Sequence, residues 1–293
     1  MRGVKVIAVL LVVCLCFCGC SARKNLKDLS VAEGLGIDNA EQGKRVTVQT
    51  LNLAKAGNGT AALSGNVTLN TAGIGRNISS AAAAAAESLS KDLFFGQNKL
   101  LVFGMDVAVN DLATCFDYLM RSENSRPDVP VCISSGTAAQ LLDCGQNDAL
   151  VPAQAVAELL KNGQNSGFSL YVSVNEMLNL YKDKTSDICL PVITVSDESS
   201  RTSGIAIFSE SRLAGVLSGD ETVGLLFLKD KVKSGYMELE SEKYGNIGVR
   251  IIGASSKTKA FAQGETVHFK VGVKLFFSID EIENGTKESL SDA

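Results

Sequence analysis

Eight cysteines and one histidine are the side chains of this chain best suited to nucleophilic or metal chemistry. Four cysteines precede residue 21, and the other four are Cys115, Cys132, Cys144 and Cys189. These four lack the short Cys-x-x-Cys spacing of structural zinc sites. Cys115 lies on the apolar stripe of a predicted helix and Cys132 lies in an apolar run, where a free cysteine acts as a small hydrophobic residue. We therefore expect four buried thiols in preference to disulfide bonds, and we predict no metal site.

The single histidine, His268, has no predicted catalytic partner. Apolar and polar residues alternate from Val267 to Lys274, and this period of two places His268 on the polar face of a strand. A cysteine nucleophile paired with it would have to reach across domains. The three glutamates between residues 238 and 242 alternate in the same way, so they share a solvated face and do not form a buried acid–base pair. The sequence predicts a protein that is not an enzyme.

Cys20 is placed for a different chemistry, the attachment of a lipid. Gly19 is a small residue directly before it, and Ser21 and a basic stretch follow. This arrangement resembles a bacterial lipobox, although Phe17 stands where an aliphatic residue is usual. The resemblance implies cleavage before Cys20 and a diacylglycerol joined to its sulfur by a thioether. The earlier cysteines are rivals for this role, but none of them follows a small residue.

The residues before Cys20 have the form of a secretory signal peptide. Arg2 and Lys5 precede an unbroken apolar run from Val6 to Cys18, which is the order of charge and apolar residues in such signals. A helix that spans the hydrocarbon core needs about 20 apolar residues. We therefore prefer a cleaved leader to a permanent membrane span, and secretion with soluble release is the next reading.

Length and charge limit the classes of function. Removal of residues 1–19 leaves 274 of 293 residues, enough for two domains at the usual ~100 to 200 residues each. The formal net charge is −4 and becomes −6 without Arg2 and Lys5. An acidic balance without a basic cluster predicts no nucleic-acid partner.

The segment from Gly73 to Ile78 lies between a predicted strand and a predicted helix, where a phosphate-binding loop would lie. Ile78 replaces the third glycine, and no acidic ribose ligand follows a second strand, so the dinucleotide fingerprint is incomplete. A turn that leads into a helix capped by Asn77 or Ser79 explains the same residues. We predict a helix cap and no cofactor.

Strands and helices alternate through the first two thirds of the chain. Alternation and apolar runs predict strands near residues 30–38, 45–53, 98–104, 129–133 and 188–195. The helices predicted between them are Ser80–Asp92, Asp111–Arg121, Thr137–Asp143, Pro152–Gly163 and Val174–Lys182. The pattern predicts an α+β protein that begins with a mixed α/β domain.

The pattern becomes strand-rich beyond a serine-rich, charged segment at Ser196–Ser203, which is the predicted linker. Strands are predicted at residues 204–208 and 213–217, followed by a helix that ends near Lys229. We predict a signal peptide at 1–19, an α/β domain at 20–198 and a smaller strand-rich domain at 199–293, where a further C-terminal domain is only begun.

Several short segments follow one another in a specific order. They are Gly36-Ile37-Asp38 before a strand that contains Gln49, Lys91 to Lys99, Phe116 to Arg121 with Arg126 after it, Ser135 to Leu142, Leu190 to Ile193, Gly204 to Phe208 and Arg212 to Gly215. Together with the lipobox, their order and spacing resemble the GerAC-like family, the C-subunit lipoproteins of spore germinant receptors. Gln97-Asn98 departs from the family, where a histidine is common, and the chain stops near where the family's last domain would build up.

The resemblance implies a subunit of a nutrient-sensing complex on the outer surface of the spore's inner membrane. It implies a lipid anchor at Cys20, two protein partners (a polytopic A subunit and a transporter-like B subunit) and no cofactor. We hypothesise that Asp38, Gln49, Arg121 and Arg126 are structural or interface residues that line no pocket. Ordinary turn and helix-cap roles are the alternative for these four residues.

Two functions from other classes share some of these features. A solute-binding lipoprotein that delivers a small ligand to a transporter would share the anchor and the strand–helix pattern. It would need two similar lobes around a cleft lined with aromatic residues, whereas the second half here is strand-rich and the chain has no tryptophan. A cell-envelope hydrolase would need a nucleophile, a base and an orienting group within reach of one another, and the sequence supplies no such set.

Overall fold

The computed structural model describes residues 28–52, 67–122, 126–144, 150–196 and 199–284, together with Gly3. The predicted lipidation site at Cys20, and the predicted signal peptide apart from Gly3, lie outside these described residues.

The larger part of the described structure is built on a mixed sheet of nine strands. These are β1 (Leu29–Ala40), β2 (Gly43–Leu51), β3 (Thr68–Gly75), β4 (Asp92–Phe94), β5 (Leu100–Gly104), β6 (Val131–Ser134), β7 (Ile188–Ser196), β8 (Ser199–Ser209) and β9 (Arg212–Leu217). The order across the sheet is β3-β2-β1-β5-β6-β7-β8-β9, and β4 pairs with the start of β1. The four central strands, β1, β5, β6 and β7, are parallel, and the strands on either side are antiparallel.

Helices connect the parallel strands and cover both faces of the sheet. They are α1 (Ile78–Glu87), α2 (Met105–Asn110), α3 (Leu112–Arg121), α4 (Ala138–Asp143), α5 (Pro152–Asn165) and α6 (Val174–Lys182). Successive residues of β5 point to opposite faces. Leu101 and Phe103 join a core with α1, α3 and α6, and Leu100 and Val102 join a second core with α4 and α5. The first part is therefore a three-layer α/β structure, as the apolar runs predict.

Helix α1 packs against β3 with little side-chain volume between them. Asn77 caps the helix, because its Oδ1 accepts a hydrogen bond from the Ser80 amide at 2.9 Å and its own amide donates to Ser80 Oγ at 3.2 Å. A Cβ added at Gly73 would lie 2.2 Å from the backbone nitrogen of Ala85. The predicted cap is confirmed, and Gly73 allows the close approach of helix and strand.

The second part is an antiparallel sheet that extends from the same core. Helix α7 (Asp220–Leu228) is followed by β10 (Gly235–Ser241), β11 (Gly245–Gln263) and β12 (Thr266–Ile282), in the order β10-β11-β12. Leu226 of α7 and Ile251 of β11 belong to the core that includes α3. The predicted fold class is confirmed: a mixed α/β part is followed by a smaller strand-rich part. None of the helices within the described ranges is both long and apolar enough to cross a bilayer.

The boundaries of two predicted segments differ in the structure. The helix predicted to reach Asp92 ends at Glu87, and Asp92 begins β4, which pairs with β1. Residues 199–203, assigned to the linker from the sequence, begin β8 and pair with β7, with Ser200 opposite Val195. The two predicted domains thus meet within one sheet, and their limits remain a prediction.

Candidate functional site

Asp38 lies at the end of β1 and caps a helix that is distant in sequence. Its Oδ1 accepts a hydrogen bond from the Ala138 amide at 2.7 Å, and its Oδ2 accepts one from the Ala139 amide at 3.1 Å. These amides belong to the first turn of α4, whose donors have no partner within the helix. The carboxylate is 3% exposed. Gly104 leaves room for it, because a Cβ there would lie 2.1 Å from Oδ1.

Two opposing effects determine the protonation of Asp38. Burial raises the pKa of the carboxyl group, because removal from water disfavours the charged form, and the hydrogen bonds from Ala138 and Ala139 oppose this shift. The net direction is upward. The two backbone hydrogen bonds therefore offset only part of the free energy that the carboxylate loses when it is removed from water.

Gln49 holds the other end of the same helix. The fully buried side chain donates from Nε2 to the carbonyl oxygen of Leu142 at 2.5 Å, and its Oε1 accepts from the Ala153 amide at 2.9 Å. Ala153 lies in the first turn of α5. Asp38 and Gln49 thus form what we call the α4 clamp, which joins the strands β1 and β2 to both ends of α4 and to the start of α5.

Asn70 is a member of this arrangement that sequence analysis did not identify. It lies opposite Gln49 in the β2–β3 pair, accepts from Gln49 Nε2 at 3.1 Å and donates to the Leu142 carbonyl oxygen at 3.0 Å. The strand register brings Asn70 to Gln49, and alternation alone does not define a register. The contacts of the α4 clamp support a structural role for Asp38 and Gln49.

Arg126 lies elsewhere, beside the start of β5 and β6. Its guanidinium binds Asp128 with two hydrogen bonds of 3.1 and 2.6 Å and donates to the Gly96 carbonyl oxygen at 3.3 Å. The bonds from Arg126 hold the pKa of the Asp128 carboxyl group below its usual range. The arginine therefore links the segment before β6 to the segment before β5, at the ends of these two central strands.

Asn98 lies next to Arg126 and is 8% exposed, yet its Oδ1 has no hydrogen-bond partner within the described part of the chain. It faces a cavity of about 20 Å³, enough for one water molecule. On the other side it borders an open trough of about 490 Å³. The charged and aromatic residues along that trough are Lys99, Arg126, Asp128, Glu158, Lys161 and Tyr171.

Arg121 is the last residue of α3 and lines a separate groove of about 590 Å³ between α1 and α3. Its Nε binds Asp117 at 2.9 Å, one helical turn away, and its side chain is 79% exposed. Such an exposed pair stabilises a protein by less than about 1 kcal/mol. Phe95 and Tyr118 line both this groove and the small cavity at Asn98. Arg121 and Arg126 therefore line neighbouring grooves, in contrast to the expectation that they line no pocket, and neither arginine belongs to the α4 clamp.

The thiols and the histidine lie as the sequence predicts. All four described cysteines are buried, and none of them forms a disulfide bond within the described part of the chain. Burial raises the pKa of the Cys115 thiol to about 12 and also raises the pKa values of Cys132 and Cys189. His268 is exposed on β12, where its ring stacks on Phe261 with 5.5 Å between ring centroids. Among the described residues, no three His, Cys, Asp or Glu side chains gather as a metal site requires.

These features define a class of protein: a three-layer α/β structure joined to an antiparallel sheet, with buried polar side chains that hold helices and charged side chains along open grooves. The chain belongs to the GerAC-like family of spore germination proteins. The family model described as the spore germination protein N-terminal domain matches residues 22–195, and the model described as spore germination B3/GerAC like, C-terminal, matches residues 203–293. The resemblance seen in the sequence is confirmed.

The chain is also similar to a curated protein and to a solved structure. The chain is 23% identical over 235 residues to YfkR, a Bacillus subtilis (strain 168) protein named for spore germination, and the match covers 76% of this chain. The chain spans 60% of the length of that relative. The crystal structure of the GerBC protein matches with a TM-score of 0.46 and 17% identity, over 92% of this chain and 78% of that chain.

Proposed function

We propose that this protein is a lipid-anchored, non-enzymatic subunit of a spore germinant receptor complex, needed for assembly or signalling in nutrient-triggered germination. The observation that carries the proposal is the match of the two family models to residues 22–195 and 203–293, in that order. The partners in this proposal are a polytopic A subunit and a transporter-like B subunit.

Lipid attachment at Cys20 would hold the folded part close to the membrane. Ser21 to Asp28 is all that separates Cys20 from β1, and these eight residues span at most about 30 Å. The proposed location is the outer surface of the spore's inner membrane. A tether raises the effective concentration of partners in the same membrane, so modest contacts with each partner suffice for assembly.

The groove at Arg121 is the surface that we assign to partner contact. The arginine is exposed and makes only an exposed ion pair with Asp117, so most of its hydrogen-bonding capacity is available to a partner. Arginine is enriched at the centres of protein interfaces because its planar group binds carboxylates with two hydrogen bonds. The α4 clamp holds the sheet and helices in place, and we assign it no direct contact with a partner.

Affinity purification from sporulating cells tests the proposal. We expect the tagged wild-type chain to recover a polytopic membrane protein and a transporter-like protein, and we expect Arg121→Ala to lose them while it keeps its thermal unfolding temperature. Asp117→Asn is the matched control, because it removes the intramolecular ion pair and keeps the arginine. A wild-type chain that recovers no polytopic partner would contradict the proposal.

Cys20→Ala tests the anchor separately. We expect this variant to leave the membrane fraction, and mass spectrometry of the wild type should find an acylated residue 20 at the amino terminus. An intact leader or an unmodified terminus in the wild type would contradict the lipid anchor and leave the family assignment in place.

The trough at Asn98 favours the second candidate, a solute-binding lipoprotein. Asn98 lines this trough together with charged side chains of both signs, and such polar groups are usable contacts for a small polar solute. A thermal-shift screen with small nutrients distinguishes the two functions. Strong stabilisation by one compound, abolished in Asn98→Leu, would favour solute binding, and the absence of any shift would favour the receptor subunit.

A further inference from the structure

The outer part of the β11–β12 hairpin is a two-stranded ribbon that extends past the rest of its sheet. Strand β10 pairs only with residues 245–251 of β11. From Gly253 to Gln263, β11 pairs only with β12, with Gly253 opposite Phe276 and Ala254 opposite Leu275. Isolated two-stranded hairpins are marginally stable in water. The ribbon, defined here as residues 253–275, therefore needs a surface that supports it.

One face of the ribbon is apolar and exposed. The alternate residues of β12 on this face are Val267, Phe269, Val271 and Val273, and each is at least 40% exposed. Their partners across the ribbon are small: Ala262, Ala260, Thr258 and Ser256. Phe269 is the most exposed at 69%. A continuous apolar strip of this kind marks a site of interaction with a protein or a membrane.

The opposite face carries four lysines, together with the stacked pair of Phe261 and His268 near the turn. Lys257, Lys259, Lys270 and Lys274 are all exposed on it, and none forms an ion pair with another described residue. Lys259 lies directly opposite Lys270 in the register. Like charges in opposite positions destabilise a strand pair. This arrangement is therefore unfavourable in water and becomes favourable next to negative charge.

The charge of the ribbon also contrasts with that of the chain. The four lysines are accompanied by one acidic residue, Glu265, whereas the whole chain has a formal net charge of −4. A second copy presents the same four lysines, so the two basic faces repel each other. An anionic partner is complementary to the basic face, and an apolar environment is complementary to the other face.

We propose that the ribbon is a membrane-docking element that lies in the interface of an anionic phospholipid bilayer. A bilayer interface supplies an apolar environment and negative charge within a few ångströms of each other, since acyl chains adjoin phosphate groups. Interfacial amphipathic helices bind in the same way, with apolar residues on one face and lysines on the other. In this orientation Phe269 and the three valines enter the acyl boundary, and the lysines remain at the level of the phosphates.

The docking element is distinct from the proposed lipid anchor. Cys20 precedes β1, whereas the ribbon lies in the last strands of the described fold. Two attachments would fix the orientation of the protein on the membrane, which one flexible tether does not do. Because the ribbon does not require Cys20, its test is made on a chain that carries no lipid.

Vesicle co-sedimentation of the chain expressed from Ser21 onward tests the inference. This chain contains every described residue except Gly3. We expect binding to phosphatidylcholine vesicles that contain about a third phosphatidylglycerol, weaker binding to pure phosphatidylcholine, and a loss of binding as salt increases. Each lysine near an anionic surface strengthens partitioning roughly fivefold. Lys259→Gln/Lys270→Gln should therefore weaken binding roughly 25-fold.

Matched variants distinguish vesicle binding by the ribbon from binding caused by the charge or hydrophobicity of other exposed residues. Lys182→Gln/Lys184→Gln removes the same charge from exposed positions outside the ribbon, and we expect it to lower binding much less than the ribbon variant does. Phe269→Ser should weaken binding, and Phe168→Ser, at an exposed phenylalanine elsewhere, should not. The lysine variant relieves a repulsion, so it should unfold at the same temperature as the wild type or higher.

Three results would overturn the inference. The first is equal binding, or no binding, to the two vesicle compositions. The second is an equal loss of vesicle binding in Lys259→Gln/Lys270→Gln and in the control Lys182→Gln/Lys184→Gln. The third is a dimer in light scattering that Phe269→Ser dissociates while vesicles stay unbound, which would assign the apolar face to a second copy. None of these results would affect the proposal on receptor assembly.

Discussion

Asp38 shows how one side chain can fix the position of a helix. Within the described part of the chain, the carboxylate is the hydrogen-bond acceptor for two first-turn amides of α4, so its removal leaves these amides without that partner. We expect Asp38→Ala to lower the free energy of unfolding by about 2 to 3 kcal/mol. Urea unfolding checks this value. Asp117→Ala, in an exposed ion pair, is the control, and we expect a change within about 0.5 kcal/mol. Equal effects of the two substitutions would contradict a capping role.

The raised pKa of Asp38 makes a separate prediction about pH. Because the folded pKa lies above the unfolded value of about 3.9, the folded state binds more protons between these values. Its contribution to stability is complete below the unfolded pKa and is lost as pH rises through the folded pKa. Asp38→Asn lacks this titration. The wild type should therefore lose stability relative to Asp38→Asn across that window, in unfolding curves at a series of pH values. A difference that stays constant, or a wild type that gains stability relative to Asp38→Asn as pH rises, would show that the pKa is not raised.

The clamp residues Asp38 and Gln49 could be identified from the sequence, whereas their hydrogen-bond partners could not. Both were selected through a family resemblance, and their contacts lie about 100 positions away along the chain, at Ala138 and Ala153. Local patterns contain no information about such contacts. The same limit applies to Asn98, because its missing hydrogen-bond partner is visible only when the surrounding loops are in place.

At the scale of elements, the contact between α1 and β3 depends on the absence of a side chain. We expect Gly73→Ala to lower the free energy of unfolding by about 3 kcal/mol, because the new Cβ would meet the backbone of Ala85 and Ala81, which cannot rotate away. Gly215→Ala in β9 is the matched control, since nothing lies within 4 Å of its added Cβ. Chemical denaturation compares the two. An equal, small effect would mean that α1 moves freely away from the sheet.

Most elements could be predicted, and the errors have physical causes. Helices α3, α4 and α6 begin and end within one residue of their predicted limits, because apolar periodicity and capping residues agree there. Helix α1 was predicted too long because alanine and leucine favour a helix, whereas pairing with β1 draws Asp92 into a strand. No strand was predicted where β11 lies, and its residues 254–260 are small or polar and carry no apolar alternation.

The basic ribbon was also invisible as a cluster in the sequence. Two of its lysines lie before the turn and two lie after it. Only the antiparallel register brings Lys259 and Lys270 together. The expectation of a chain without a basic cluster therefore holds for the sequence and fails for the folded surface.

The whole molecule should protect its thiols until it unfolds. The four described cysteines are buried, and burial raises the pKa of Cys115 to about 12 and also raises the pKa values of Cys132 and Cys189, so these three thiols form little reactive thiolate near neutral pH. For the chain expressed from Ser21, we expect no reaction with a thiol reagent at about pH 8 in the native state. All four thiols should react in urea. A thiol that reacts in the native state would reveal local opening of one of the two cores.

The position of β1 has a mechanical consequence for a protein held by its amino-terminal end. β1 is the first strand of the described fold, and it lies in the middle of the large sheet, between β2 and β5. A pull on the preceding segment would be directed along this strand, so its hydrogen bonds to both neighbours would bear the load together and would not open one after another. Such a geometry resists tension, and a molecule held in this way would transmit force from its attachment into its core before it unfolded.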